Sequence, residues 1–166
     1  MPALEPAALD RFLSYRLHQV GKLTDRGSSD AYASEFGLPV GEARCLAAIG
    51  HFASVSVVEL AARANLHKGP ASRGAQALVE RGLVTKRANE ADGRGVVLSL
   101  TPAGRKLWTR VIDLIARRND EIFGCLSATE QKLLGAMLDR LIVHADGSPA
   151  ARGAIPMKRP VKRRST

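Results

Sequence analysis

Lys68, Gly69, Pro70, Ser72, Arg73 and Gln76 form the densest cluster of recognition chemistry in this chain. An arginine guanidinium grips guanine with two hydrogen bonds or clamps a phosphate, a glutamine amide pairs with adenine, and a serine hydroxyl tolerates either. At helical spacing these residues lie away from the stripe of Ala71, Ala75, Leu78 and Val79, so one side of such a helix packs while the other faces a duplex groove. Pro70 fits in the first turn, where its missing N–H would have no helical partner anyway. Arg87, Asp92 and Arg94 follow. Arg94 suits a narrow minor groove, where negative potential concentrates. Asp92 repels phosphate, so its expected role is to hold Arg94 or cap a turn. Solvated surface is the plain alternative for Arg73 and Gln76, and an ordinary hairpin turn is the alternative for Asp92 and Gly93.

The composition agrees with an anionic partner. The 166 residues carry a formal net charge of +9 and a pI near 10.3, a balance that points to nucleic acid or an anionic membrane surface. Lys158, Arg159, Lys162, Arg163 and Arg164 concentrate much of the excess in the last nine residues. Between Lys68 and Arg94 six basic residues stand against three acids. With 45% hydrophobic residues, only 4% aromatics and an abundance of Ala and Leu, aliphatic helix packing is expected over a β-sandwich. The two cysteines, Cys45 and Cys125, have no C-x-x-C spacing, and His18, His51, His67 and His144 fall at no metal-finger interval. No cofactor is expected. The first twelve residues lack the basic and apolar regions of a signal peptide, and the longest purely apolar run is Cys45 to Ile49, so a cytoplasmic chain with no membrane partner is expected. Walker, G-x-S-x-G and G-x-G-x-x-G loops in a fitting context are missing from the sequence, which argues against an enzyme.

These residues need elements to position them. Leu9, Phe12, Leu13, Leu17, Val20 and Leu23 follow one helical face, predicting a helix from about residue 8 to the middle twenties, loosened at Gly27-Ser28-Ser29 and resuming toward Phe36. A second helix is expected over 41–50. Ser56 and Glu59 form a capping box that opens a short helix over 57–64. A tight connection at Asn65-Leu66-His67 leads to a helix over 68–81, stopped by Gly82. His67 is expected beside its start, near phosphate. Two strands are predicted at 83–87 and 96–100, joined by a polar loop. Thr101-Pro102 reads as an N-cap followed by Pro at the first helical position, and Ser127 with Glu130 as a second capping box before a last helix. Its stripe is Leu133, Leu134, Met137, Leu138, Leu141 and Ile142. Residues 147–166, rich in Gly, Pro, Ala and base, read as a disordered tail.

The order helix, helix, helix-turn-helix, wing, long helix, terminal helix resembles the MarR (multiple antibiotic resistance regulator) family. The most specific stretch is Asp92-Gly93-Arg94-Gly95-Val96-Val97-Leu98-Ser99-Leu100-Thr101-Pro102-Ala103-Gly104, which is similar to the family's wing signature. Leu60-Ala61, Ser72-Arg73, residues 78–84 and Arg87 also fall where that pattern expects them. Gly69-Pro70 departs from it, replacing small hydroxylated residues at the start of the recognition helix. The implied fold is mainly α with a small β-hairpin wing: an N-terminal dimerisation helix at 1–37, a winged helix-turn-helix at 38–101, dimerisation helices at 102–146 and the basic tail.

The resemblance implies a homodimeric, sequence-specific regulator of transcription, more often a repressor, on a near-palindromic operator in double-stranded DNA. Two recognition helices about 34 Å apart then read successive turns. It also implies a pocket for a small aromatic or phenolic effector between the dimerisation and DNA-binding parts. Tyr15, His18, Cys45 and Trp108 lie on flanking elements, though each residue type is more often plain core or surface. Family members that sense oxidants carry a cysteine near the start of the first helix, and Cys45 lies too far along for that, so it reads as a small buried apolar residue. A weakly specific or architectural DNA binder driven by the tail, without an effector, is the alternative.

Overall fold

The computed structural model describes residues 8–88 and 95–146, and Asp92, Arg94 and the tail at 147–166 fall outside them. The chain divides into two compact units, residues 1–40 and 41–166.

In the first unit a short 3-10 turn, Leu9–Arg11, precedes helix α1, Leu13–Phe36. This helix is continuous through Gly27-Ser28-Ser29, where the sequence suggested a loosening. One glycine costs a helix interior only about 1 kcal/mol, which its 24 residues of ladder hydrogen bonds absorb. Gly37 ends it at φ +61°, donating its N–H back to the Ala33 carbonyl at 3.0 Å. Leu13, Leu17, Val20 and Leu23 are all at least half exposed.

The second unit contains α2 (Val40–Phe52, whose first residue closes the first unit), β1 (Val55–Ser56), α3 (Val57–Arg63), α4 (Lys68–Glu80), β2 (Val84–Ala88), β3 (Val96–Leu100), α5 (Pro102–Phe123) and α6 (Ala128–Asp146). The strands form an antiparallel sheet in the order β1-β3-β2, with Val55 opposite Leu98 and Lys86 also opposite Leu98. Strand β1 was not foreseen. At two residues it is too short to show any alternation, and it exists through its partner.

Each cap expected from sequence forms. The Ser56 hydroxyl accepts from the Glu59 N–H at 3.1 Å, and the Glu59 carboxylate accepts from the Ser56 N–H at 3.1 Å. Ser127 and Glu130 repeat the exchange at the start of α6. Helix α4 ends in a Schellman motif: Gly82, at φ +69°, donates to Val79, and the Leu83 N–H donates to Leu78 at 2.9 Å. Leu83 therefore belongs to the cap, and β2 begins one residue later than the pattern suggested.

The core gathers Leu46, Ile49, Leu60, Leu78, Val84, Leu98 and Val111, from both sheet and helices, and all are essentially inaccessible. Helix α2 is pinned at both ends. The Glu42 carboxylate lies 3.3 Å from the Arg81 guanidinium at the far end of α4. At the other end Gly50 leaves so little room that a Cβ there would overlap the Trp108 indole, whose Nε1 donates to the Ala47 carbonyl at 3.3 Å. Helix α6 buries no side chain, and Leu133, Met137, Leu141, Ile142 and Val143 stand exposed along it.

Candidate nucleic-acid interface

Helix α4 follows α3 through residues 64–67, and the turn depends on Asn65, which adopts φ +52°. Asparagine visits the left-handed region more readily than most residues, so a four-residue reversal forms there at modest cost. His67 is the N-cap of α4 with extended backbone, and its ring makes no capping bond.

Burial sorts the residues of α4 into two faces. Ala71, Gly74, Ala75 and Leu78 are buried, whereas Lys68, Gly69, Pro70, Ser72, Arg73 and Gln76 are all exposed. The inner face is made of small residues, which lets α4 sit close on α2. The Cys45 thiol donates to the Ala71 carbonyl at 3.8 Å, and a Cβ on Gly74 would lie 2.9 Å from the Cys45 sulfur and 3.5 Å from the Gly41 carbonyl oxygen. The outer face is thereby held against a rigid support. Val79, placed in the buried stripe by sequence, is only half-buried, and Gly74 takes the position beside Cys45.

On the outer face, Gly69, Arg73, Gln76 and Glu80 succeed one another at four, three and four residues and so form one stripe. The Arg73 guanidinium folds back over Gly69, 3.5 Å from where a Cβ would stand. Gln76 is tied on both sides: its Oε1 accepts from Lys86 Nζ at 2.5 Å and its Nε2 donates to Glu80 at 2.9 Å. Sequence reasoning did not single out Lys86 or Glu80. Arg87 is exposed on β2, opposite Val97. Lys86 and Arg87 thus extend the basic surface from helix to sheet.

Of the residues singled out for a ligand pocket, Tyr15 and His18 lie in the first compact unit and Cys45 and Trp108 in the second. Cys45 is fully buried behind α4, and Trp108 is half-buried on α5 with its N–H spent on Ala47. Burial, and secondarily the Glu42 carboxylate, raises the Cys45 pKa from 9.0 to about 11, so the thiol stays protonated. Tyr15 and His18 stand on α1 in the other compact unit, the Tyr15 hydroxyl accepting from Gln19 at 2.8 Å and His18 Nδ1 lying 3.2 Å from the Ser14 carbonyl. Among the described residues there is no group of acids, cysteines or histidines that would hold a metal, and no helix is long and apolar enough to cross a membrane.

A two-helix unit with one exposed polar face, followed by an antiparallel hairpin, defines the winged helix-turn-helix class of DNA-binding transcription regulators. The family model described as MarR family matches residues 36–95. The HTH-type transcriptional regulator BilQ of Clostridium symbiosum is 31% identical over 93 residues, spanning 56% of this chain and 65% of that regulator, just under two thirds of its length. The HTH-type transcriptional repressor Rv2887 of Mycobacterium tuberculosis is 28% identical over 132 residues, 80% of this chain and 94% of the repressor. Its solved structure, a complex with p-aminosalicylic acid, matches with a TM-score of 0.65 at 27% identity, covering 78% of this chain and 98% of that one. A cysteine-to-serine mutant of Escherichia coli MarR, solved with operator DNA, gives 0.67 at 26% identity over 78% of this chain and 92% of that chain. By family model, by sequence and by structure the chain is similar to the MarR family of transcriptional regulators.

Proposed function

We propose that this protein is a homodimeric, cytoplasmic repressor that binds a near-palindromic operator and is released by a small aromatic or phenolic ligand. The observation that carries DNA reading is the division of α4: its small residues lock onto Cys45 and Gly41 while Ser72, Arg73 and Gln76 project outward beside Lys86 and Arg87. A major groove about 12 Å wide accepts such a helix. Arg73 supplies a bidentate donor for guanine or phosphate, Ser72 a permissive hydroxyl, and Lys68 and Arg87 backbone charge. Asp92 and Arg94, between β2 and β3 in the sequence, are the residues offered to the minor groove.

Dimerisation is supported by the apolar faces of α1 and α6. Half-exposed Leu, Met, Ile and Val side chains gain on the order of 1 kcal/mol each when covered, and water is a poor partner for so many of them. Repression and ligand release rest on likeness: Rv2887 is named a repressor and was solved with an aromatic acid, and the E. coli mutant was solved with operator DNA.

The test is fluorescence anisotropy with duplexes selected from random sequence by the purified protein. A selected duplex should bind at least 100-fold more tightly than its scrambled counterpart, with affinity falling steeply as salt rises. Arg73→Ala should remove that discrimination, and salicylate-type acids should release the duplex. Equal binding to both duplexes would identify an architectural binder instead.

A further inference from the structure

On the reading that α4 enters the major groove, we propose that Lys86 and Glu80 hold the Gln76 amide in a single orientation, so that this three-residue chain fixes the polarity of one A·T pair in each half-site.

The two ends of a glutamine amide differ only in chemistry, and the neighbours decide which end points where. Lys86 Nζ has protons to give and no lone pair, so the atom 2.5 Å away must be the amide oxygen. The Glu80 carboxylate accepts, so the atom 2.9 Å from it must be the amide nitrogen. Rotating the amide by half a turn would set NH2 against an ammonium and C=O against a carboxylate, losing both hydrogen bonds. The locked amide still has one lone pair on Oε1 and one N–H on Nε2. An acceptor beside a donor complements the N6–H donor and N7 acceptor of adenine in the major groove. With the oxygen tied to the β2 side, only one order of A and T satisfies both. A free glutamine side chain rotates and loses that preference.

The chain of charges also accounts for Glu80, a carboxylate on the stripe that faces DNA. Alone it would repel phosphate. Linked to Lys86 through Gln76, it becomes part of a neutral relay that strengthens as the groove excludes water.

The experiment measures competition binding for every base substitution across a selected half-site, with the wild type, Gln76→Ala, Glu80→Ala, Lys86→Met and the Gln76→Ala/Glu80→Ala double variant. The wild type should prefer A·T over T·A about tenfold at one position of each half-site. Glu80→Ala and Lys86→Met should each lower that ratio below about threefold; Lys86→Met also weakens all duplexes alike by removing a surface charge, so the preference ratios at the other positions and the melting temperature change little. Gln76→Ala should abolish the preference, and adding Glu80→Ala should then change nothing at that position. A full preference retained in both Glu80→Ala and Lys86→Met overturns the lock. So does a preference unchanged in Gln76→Ala, or one that Glu80→Ala lowers equally with Gln76 absent. A wild type that selects no duplex at all fails earlier, at the regulator reading itself, whereas selection with no polarity at any A·T pair overturns the lock alone.

Discussion

The Thr101 hydroxyl donates to the Gly82 carbonyl at 2.7 Å and simultaneously accepts from the Gly104 N–H at 3.0 Å. One side chain thus joins the end of α4 to the start of α5, across the base of the β2–β3 hairpin. The backbone is equally close there: the Thr101 N–H donates to the Leu83 carbonyl at 3.0 Å, and a Cβ on Gly104 would overlap that oxygen. Thr101→Val should lose the cap and the Gly82 bond together, lowering stability by about 1–2 kcal/mol in urea titration. Gly104→Ala should cost more, about 3 kcal/mol, because backbone rather than a mobile side chain must give way.

Gly74 and Cys45 make a second tight contact, between α4 and α2. Ordinarily Gly→Ala in a helix interior gains up to about 1 kcal/mol. Here the added methyl would sit 2.9 Å from sulfur, so Gly74→Ala should destabilise. In a Cys45→Ala background the same substitution should be neutral or stabilising. A double-mutant cycle by chemical denaturation checks this, with an expected coupling of about 1–2 kcal/mol.

The Cys45 thiol should be chemically silent in the folded protein. Thiol-reactive dye should label exposed Cys125 in the native state and reach Cys45 only on unfolding. A folded pKa near 11 against an ordinary 9.0 means that the unfolded chain releases this proton first. The associated stability is complete below pH 9 and disappears as pH climbs toward 11. Cys45→Ala should flatten that alkaline slope, whatever it costs in packing.

The Ser56–Glu59 capping box has the opposite sign. Hydrogen bonds from the Ser56 backbone and hydroxyl hold the Glu59 carboxyl below its usual range. Its contribution is present above the ordinary glutamate pKa and fades as acid protonates the folded carboxylate. Because Glu59 is partly exposed, the effect is small. Ser56→Ala should destabilise α3 by about 1 kcal/mol at pH 7 and reduce the acid dependence of the unfolding midpoint.

Much of this architecture was legible in the sequence, because the punctuation is chemical. Ser56 with Glu59, Thr101 with Pro102, Ser127 with Glu130 and the Gly82 stop each set an end by local hydrogen bonding, and each occurs where its residues predict. What escaped depended on distant partners. Strand β1 exists only because Val55 and Ser56 meet Leu98 and Val97. Helix α1 runs through Gly27 because a long ladder outweighs one poor residue. The exposed face of α4 was readable from helical period, but the ties of Gln76 were not. Lys86 lies ten residues away on a strand, and no spacing rule places its ammonium on that amide.

The most direct measurement is hydroxyl-radical footprinting of the purified protein on its selected duplex. The account predicts two protected patches of equal extent, related by a twofold axis and centred one helical turn, about 10 base pairs, apart. A single unsymmetrical patch, or protection no different from that on scrambled DNA, would contradict it.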